Sequence, residues 1–286
     1  MVQEQLQRAW QALAHPKIRL QADFPWNFGT MAKQYAVATF LYLIGSLFPV
    51  FLFSFAVALL ARINPDLLTK LVGTDPRHPN MAVIIVPVVA SFVSGLGLEL
   101  WYIARCFRKE GLSLGKSLGF NLDSLGGSWW SAIWRALVAF ALVMVVDALL
   151  SLLPMPEVHD PAADLARSLS GYAFWVFAAL AAVGAPLFEE LIFRGFLFNA
   201  CRTSFQKGWL GKLFRSERSA AYAAMVVSAA AFAGAHMTLT GFPGLFIMGI
   251  VLAALYRRSG TLICPMLLHG LNNLTAVILI YLSQAS

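Results

Sequence analysis

The sequence predicts an all-α protein, a polytopic membrane helix bundle with about seven transmembrane helices. Three observations lead to this prediction. Of the 286 residues, 59% are hydrophobic and only 12% are charged, whereas soluble domains are typically about 45–50% apolar and about 25% charged. The mean hydropathy is +0.71. The apolar residues also form long runs separated by short polar, basic or Pro/Gly-rich stretches, so lipid is the expected solvent for most of the chain.

The predicted spans follow from the lengths of these apolar runs, since a spanning helix needs roughly 20 mostly apolar residues. They lie near residues 36–61, 82–105, 132–153, 171–193, 219–240, 242–257 and 263–283. The fourth is expected to continue toward residue 205, and the sixth is short. Such irregular lengths indicate non-ideal packing, which lipid tolerates only where protein surrounds the helix.

The chain divides into a short N-terminal segment and one membrane domain. Residues 1–35 are predicted to be a cytoplasmic or interfacial segment, and residues 36–286 a single transmembrane domain. The first segment lacks the basic-then-apolar pattern of a cleaved signal peptide, so the first span is expected to act as the targeting signal. One face of this segment is apolar, as in a helix lying in the membrane interface; it consists of Val2, Leu6, Trp10 and Leu13.

The distribution of basic residues predicts the orientation. Lysine and arginine concentrate in the N-terminal segment and in the second, fourth and sixth connections, whereas the third connection is acidic and the fifth is uncharged. Cytoplasmic loops carry an excess of Lys and Arg. The N-terminus is therefore predicted to be cytoplasmic and the C-terminus outside, and the lack of sorting signals favours a bacterial inner membrane.

The strongest functional signal is a run in the fourth span where two carboxylates and an arginine interrupt an apolar helix. Ionisable residues inside a membrane helix are costly and usually mark function or an internal pair. Glu190 and Arg194 are four residues apart, so they share a helix face and can pair. Glu189 is rotated by about 100° from Glu190 and lacks that partner. We interpret this run as a structural ion pair beside a chemically available Glu189; the alternative is that all three mark the cytoplasmic helix end.

Two further stretches place histidines in later spans. His236 follows small residues, where it serves either chemistry or close helix packing. His269 and Asn273 share a face of the last span, and the alternative is a polar contact between helices. With straight spans, Glu189 lies toward the cytoplasmic side and His236 toward the opposite side. Either the fifth span starts later or bends, or a longer fourth helix carries Glu189 to mid-depth.

Together these groups are the types that peptide hydrolysis requires. A glutamate activates water as a general base, and a histidine shares that water or protonates the leaving amine. A second histidine and an asparagine donate hydrogen bonds to the developing oxyanion. The expected partners are therefore membrane lipid and a peptide or protein substrate. A nucleic-acid partner is not expected despite the net charge of +7, because the basic residues lie between apolar runs.

Three motifs of this chain resemble the EExxxR, FxxxH and HxxxN motifs of the CAAX protease and bacteriocin-processing family of intramembrane peptidases, which includes the type II CAAX prenyl endopeptidase. They are Glu189-Glu190-Leu-Ile-Phe-Arg194, Phe232-Ala-Gly-Ala-His236 and His269-Gly-Leu-Asn-Asn273. The resemblance covers roughly residues 170–285, the predicted peptidase motif region. Each motif is weak alone, and the specificity lies in their order on spans four, five and seven.

The resemblance implies that Glu189 and His236 bind and activate the nucleophilic water. It implies that His269 and Asn273 form the oxyanion site and that the neighbouring ion pair supports the fold. It also implies an endopeptidase, often described as a metallopeptidase, that cleaves near the C-terminus of a membrane-associated or prenylated substrate or processes a bacteriocin-like peptide. The alternative is a catalytically silent scaffold or bacteriocin-immunity protein of the same fold.

No permanent metal is expected, because the HExxH spacing of zinc peptidases is absent. If zinc is present, its predicted ligands are Glu189, His236 and His269. The expected mechanism is direct activation of water.

Other candidates receive structural interpretations. Glu99 and Asp147 each lie near enough to a predicted span end to reach the interface, so neither is assigned a catalytic role. Cys264 is expected to be a small apolar packing residue and not a thiol nucleophile. A transporter would spread polar residues through several spans, whereas spans one to three are almost bare of them.

Overall fold

The computed structural model describes residues 26–73, 80–152 and 161–285, and every regular element in these ranges is helical. The predicted all-α class is therefore confirmed. The predicted interfacial helix with Val2, Leu6, Trp10 and Leu13 lies outside the described residues.

The described part of the chain contains a 3₁₀ turn at Asp123–Leu125 and eleven longer or α-helical elements. They are α1 (Phe28–Ile63), α2 (Pro65–Val72), α3 (Met81–Lys109), α4 (Leu114–Ser117), α5 (Trp129–Leu150), α6 (Pro161–Ser168), α7 (Gly171–Ser204), α8 (Gly208–Leu213), α9 (Glu217–Ala235), α10 (Phe242–Ser259) and α11 (Ile263–Ala285). The side chain of Trp209 on the short helix α8 is exposed.

Six of these helices, α1, α3, α5, α7, α10 and α11, are long and apolar enough to cross a membrane. They correspond to six of the seven predicted spans. The remaining predicted span corresponds to α9, which has 19 residues. Its composition is less apolar than that of the six other helices, because it is rich in alanine and begins with two charged residues. Small residues of this kind allow helices to approach one another closely, and α9 packs against α7 and α10.

Helix α9 begins and ends at well-defined signals. The Ser216 hydroxyl accepts a hydrogen bond from the Ser219 backbone N–H, and the Ser219 side chain in turn bonds back to Ser216, which is a capping box. The helix ends at Ala235, five residues before the predicted end of the span, because the chain turns there and Met237 has a φ of 50°.

The long helix α7 is irregular in two places. It is π-helical over Leu180–Gly184 and again over Leu191–Phe198, on either side of an α-helical turn at Ala185–Glu190. Pro186 near the start of this turn has no backbone N–H to donate. Single π-helical segments within α-helices are frequent at functional sites. The predicted continuation toward residue 205 is confirmed, and Glu189 lies near the middle of the 34-residue helix.

Polar side chains from neighbouring helices bond to carbonyls in both π-helical segments. The Asn273 amide on α11 donates to the Ala181 carbonyl at 2.9 Å, and the Ser228 hydroxyl on α9 donates to the Phe193 carbonyl at 2.7 Å. Gly270 permits the approach of α11, since a Cβ there would meet the Ala182 carbonyl oxygen at 2.7 Å. Each irregular stretch therefore has a backbone carbonyl that is bonded to a side chain of a neighbouring helix, as the bilayer requires of displaced carbonyls.

Helices α1 and α3 form a closely packed pair beside this group. Their axes approach at Gly45 and Gly95, where a Cβ on Gly45 would lie 2.8 Å from the Gly95 Cα. The outward faces of α1 and α5 expose many large apolar side chains, among them Leu47, Phe51 and Trp130. Such extended apolar surfaces are those expected to face lipid.

We predict that Gly45→Ala lowers the stability of the protein by about 1–3 kcal/mol, because the added methyl group overpacks the contact between α1 and α3. Thermal unfolding of the purified protein in detergent measures the change. Gly97→Ala is the matched control on α3, since a Cβ there would meet no atom within 4 Å. Equal melting temperatures for the two variants would contradict the assigned contact.

Candidate active site

The centre of the site is a buried ion pair. The Arg194 Nη1 atom lies 2.7 Å from the Glu190 Oε1 atom, and both side chains are fully buried. The i,i+4 spacing on α7 predicted this pair, and the pair is present. A buried charge is tolerated only when it is paired and hydrogen-bonded, so the surroundings of the two groups matter as much as their contact.

Arg194 reaches two further helices. Its Nη2 atom donates to the Gly249 carbonyl on α10 at 3.3 Å. Its guanidinium carbon also lies 4.4 Å from the ring centroid of Phe232 on α9. Hydrogen bonds and cation–π contacts of this kind compensate part of the lost hydration of the cation. One arginine therefore connects α7, α9 and α10.

His269 on α11 joins the same network. Its Nδ1 atom is 2.9 Å from the Glu190 Oε1 atom, and its Nε2 atom is 3.8 Å from the Glu189 Oε2 atom. Because the ionised Glu190 carboxylate only accepts hydrogen bonds, the proton on the neutral ring is assigned to Nδ1. The Nε2 atom of His269 then faces Glu189. The histidine is 2% exposed, so it lies behind Glu189 as seen from the cavity described below.

Glu189 itself stands apart from the ion pair. Its side chain is 26% exposed, and no hydrogen bond joins its Oε2 atom to another group among the described residues. The adjacent Glu190, by contrast, is completely buried. The rotation of about 100° between successive helical residues separates the two carboxylates in this way. Glu189 is thus the carboxylate of this pair that is available to a bound water or substrate.

His236 lies directly after the last residue of α9. Its Nδ1 atom is 2.8 Å from the Phe232 carbonyl oxygen. A carbonyl oxygen only accepts, so the Nδ1 atom carries the proton and the Nε2 atom of the neutral ring is left as an acceptor. The Phe232 ring also contacts both histidines edge-on, with centroids 4.8 Å from His236 and 5.5 Å from His269.

Glu189 and His236 line one cavity of about 480 Å³. Its walls come from α1, α3, α7 and the end of α9, and most of the lining side chains are apolar or aromatic. Volumes of roughly 300–1,000 Å³ are typical of ligand sites. Glu189 lies near the middle of α7 and therefore at the level of the end of α9. Of the alternatives stated for the depths of Glu189 and His236, the longer fourth helix thus explains how both residues line one cavity.

The α1 and α3 wall was missed by the sequence reasoning. Polar residues of α1 line the cavity at i, i+4 and i+7, and α3 lines it with the same spacing. These two sets are Tyr35, Thr39 and Tyr42 on α1, and Phe92, Leu96 and Glu99 on α3. Polar residues recurring with the helical period within an apolar span were the signal that could have found this wall.

Two expectations about these residues need correction. The first two spans are not bare at the site, because each contributes polar groups to the cavity. The helix that carries Glu99 also ends later than the predicted span: α3 continues to Lys109, and the glutamate is 4% exposed. Asp147 is exposed near the end of α5, as expected. Cys264 is buried and is not among the residues that line this cavity.

The predicted oxyanion donors lie near Glu189 but not on the cavity wall. Neither His269 nor Asn273 is among the residues that line the cavity. One N–H of the Asn273 amide is engaged by the Ala181 carbonyl, which leaves its second N–H for another acceptor.

The residues do not form a metal site. Within the described ranges, no three side chains of His, Cys, Asp or Glu are grouped so that they could hold a metal ion. Glu189, His236 and His269, the set that the sequence offered for zinc, therefore does not fit as one ligand group in this arrangement.

Comparison with known proteins identifies the region that carries the site. Residues 171–275 match the family model described as "Type II CAAX prenyl endopeptidase Rce1-like". The matched range contains all three sequence motifs, and the resemblance found in the sequence is therefore confirmed. No curated protein and no solved structure matches the chain significantly.

We predict that Arg194→Met destabilises the protein by about 3–5 kcal/mol, because it leaves the buried Glu190 carboxylate without its cation. Thermal unfolding in detergent measures the loss. Arg167→Met is the control: its pair with Asp164 is 2.9 Å long, but both side chains are more than half exposed, so a change of at most about 1 kcal/mol is expected. A similar loss in both variants would contradict the role of burial.

Proposed function

We infer that this chain is an intramembrane endopeptidase that uses a glutamate-activated water. Its residues 171–275 match the Rce1-like family of type II CAAX prenyl endopeptidases. The family is one of proteases, and the six long apolar helices make the chain an integral membrane protein. The observation that carries the mechanism is that Glu189 and His236, from different helices, line the same largely apolar cavity.

Glu189 is the proposed general base. Its carboxylate is free of the Arg194 pair and in contact with the cavity, so it can accept a proton from a water held there. The unprotonated Nε2 atom of His236, fixed by the bond from Nδ1 to the Phe232 carbonyl, is a second acceptor for the same water. The water attacks the scissile carbonyl carbon, and the proton taken from it is then delivered to the leaving amine.

His269 and Asn273 are the proposed donors to the oxyanion, as the family resemblance implies. For His269 this role requires a doubly protonated ring, because Nδ1 carries the proton of the neutral ring and Nε2, 3.8 Å from Glu189, then has no hydrogen to donate. The free second N–H of Asn273 supports the role of the asparagine. Each such donor commonly contributes about 2.7–4 kcal/mol to transition-state stabilisation. The buried ion pair is assigned to positioning, because it holds His269 through the bond to Glu190.

The proposed substrate is a membrane-associated or prenylated peptide cleaved near its C-terminus. An apolar cavity of about 480 Å³ between lipid-facing helices suits a peptide segment that leaves the bilayer, since a site of this size buries several side chains. The distribution of basic residues supports a cytoplasmic N-terminus and an external C-terminus, and we propose a bacterial inner membrane as the location. Direct activation of water without zinc is part of the proposal.

We predict that Glu189→Gln abolishes peptide-bond hydrolysis, lowering the rate by about 10²–10⁴-fold or more, because a carboxamide cannot accept the proton of the attacking water. N-terminal and C-terminal peptide maps of host membranes that express wild type or variant measure this. Termini that depend on Glu189 establish proteolysis and identify the substrate. Asp147→Asn, which changes an exposed carboxyl outside the cavity, is the control and should produce the wild-type map.

The same maps test the alternatives. Termini that persist with a chelator support direct water activation, whereas their loss with a chelator would indicate a metal. Identical maps for folded and abundant wild type and Glu189→Gln, in the host from which the gene comes, would contradict the peptidase proposal. They would favour a silent scaffold or a transporter.

We predict that Asn273→Ala lowers kcat about 10²–10³-fold with little change in KM, as expected for the loss of one oxyanion donor. Steady-state kinetics on the substrate found by the maps measures both constants. Asn273 also binds the Ala181 carbonyl of the first π-helical segment. The melting temperature of the Asn273→Ala variant must therefore be measured as well. A lower melting temperature with an unchanged kcat would show that the residue acts only on the fold.

A further inference from the structure

A second carboxylate shares the cavity with Glu189. Glu99 lies on α3, outside the matched region, and it lines the cavity beside Leu96 and across from α7. Its residue surface is only 4% exposed. The end of α3 at Lys109 is about 15 Å further along the helix, too far for a glutamate side chain to reach. The carboxylate is therefore enclosed at the level of the reacting groups.

Glu99 has no counter-charge among the residues that the structure describes. No ion pair or hydrogen bond joins it to another group among the described residues. No lysine or arginine is among the residues that line the cavity. The arginine nearest to Glu189 along the chain, Arg194, is committed to Glu190 behind the wall. Among the described residues, the cavity thus has two carboxyl groups on its wall, Glu99 and Glu189, and no lysine or arginine.

Buried carboxylates in proteins are almost always paired with a cation or fully hydrogen-bonded. A cationic ligand in this cavity would provide the missing partner, and its own desolvation would be offset by the contact. An anionic ligand, by contrast, would lose its hydration beside two carboxyl groups without gaining a cationic partner. The carboxyl groups of the wall therefore favour a cationic substrate and also disfavour an anionic one.

We propose that Glu99 is a specificity-determining residue that binds the lysine or arginine side chain of a peptide substrate within two residues of the scissile bond. The proposal rests on the proposed function, because it takes the cavity of Glu189 and His236 as the site where the peptide lies. Glu99 and Glu189 belong to different walls of this one cavity, so a basic side chain contacts Glu99 while the adjacent carbonyl faces the activated water.

The test uses the full-length protein in proteoliposomes and a library of prenylated peptides randomised around a central segment, with the cut bonds read by mass spectrometry. A cleaved sequence is then made in three versions, with lysine, norleucine or glutamate at the enriched position. We expect kcat/KM for the lysine peptide to exceed that for the norleucine peptide by about tenfold, the effect of a coupling of about 1.4 kcal/mol. The glutamate peptide should be the poorest of the three.

Variants of Glu99 separate this contact from a merely structural role. Glu99→Gln should reduce the ratio of kcat/KM for lysine and norleucine peptides toward one, and Glu99→Asp should restore most of it. Asp147→Asn changes a carboxyl outside the cavity and should keep the wild-type ratio. Equal kcat/KM values for the two peptides with the wild-type protein would overturn the proposal, whatever the variants do.

Failure of the proposed function gives a different result. In that case no library peptide is cut in a manner that depends on Glu189. Binding of the three peptides to the Glu189→Gln protein then decides the question without catalysis. If the lysine peptide binds more tightly than the norleucine peptide, and the Glu99→Gln, Glu189→Gln double variant loses this difference, the subsite for a cationic side chain is supported without the peptidase activity. Equal affinities for the lysine and norleucine peptides overturn it.

Discussion

The buried ion pair between Glu190 and Arg194 is the interaction on which the site depends. A guanidinium and a carboxylate without access to water are stable only if their remaining polar atoms and faces find partners. The chain provides partners from three other helices: the Gly249 carbonyl, the Phe232 ring and the His269 imidazole. The Glu190 Oε2 and Arg194 Nε atoms make no hydrogen bond to another described group. The contacts that are made bring α7, α9, α10 and α11 together around one ion pair, close to Glu189 and the two histidines.

The irregular geometry of α7 follows from the same packing. Two π-helical segments flank the single α-helical turn that carries the adjacent glutamates. In lipid, carbonyls displaced by such segments need partners from protein, and Asn273 and Ser228 provide two of them. The residue that the motif assigns to oxyanion binding thus also stabilises the backbone beside the site. One N–H of the Asn273 amide bonds the Ala181 carbonyl, and the other remains for the proposed oxyanion.

The two parts of the bundle contribute differently. Helices α7 to α11 carry the ion pair and the proposed reacting groups, while α1 and α3 close the cavity from the other side. The glycine contact packs α1 closely against α3, and side chains of both helices, Glu99 among them, form one wall of the cavity. The N-terminal half is therefore part of the site although it carries none of the three motifs.

Local patterns in the sequence were sufficient for the helices and for the ion pair. Hydropathy predicted six spans that the structure contains, since the length of an apolar run is a property of the chain itself. The i,i+4 spacing predicted the contact of Glu190 with Arg194 for the same reason, because both residues lie on one helix. The order of the motifs indicated the family. Only the tertiary structure decided that Glu189 and His236 meet in a cavity, that His269 binds Glu190, and that Glu99 is enclosed beside them. These facts depend on which helix faces turn toward one another and how far α7 and α3 extend, and no local pattern contains that information.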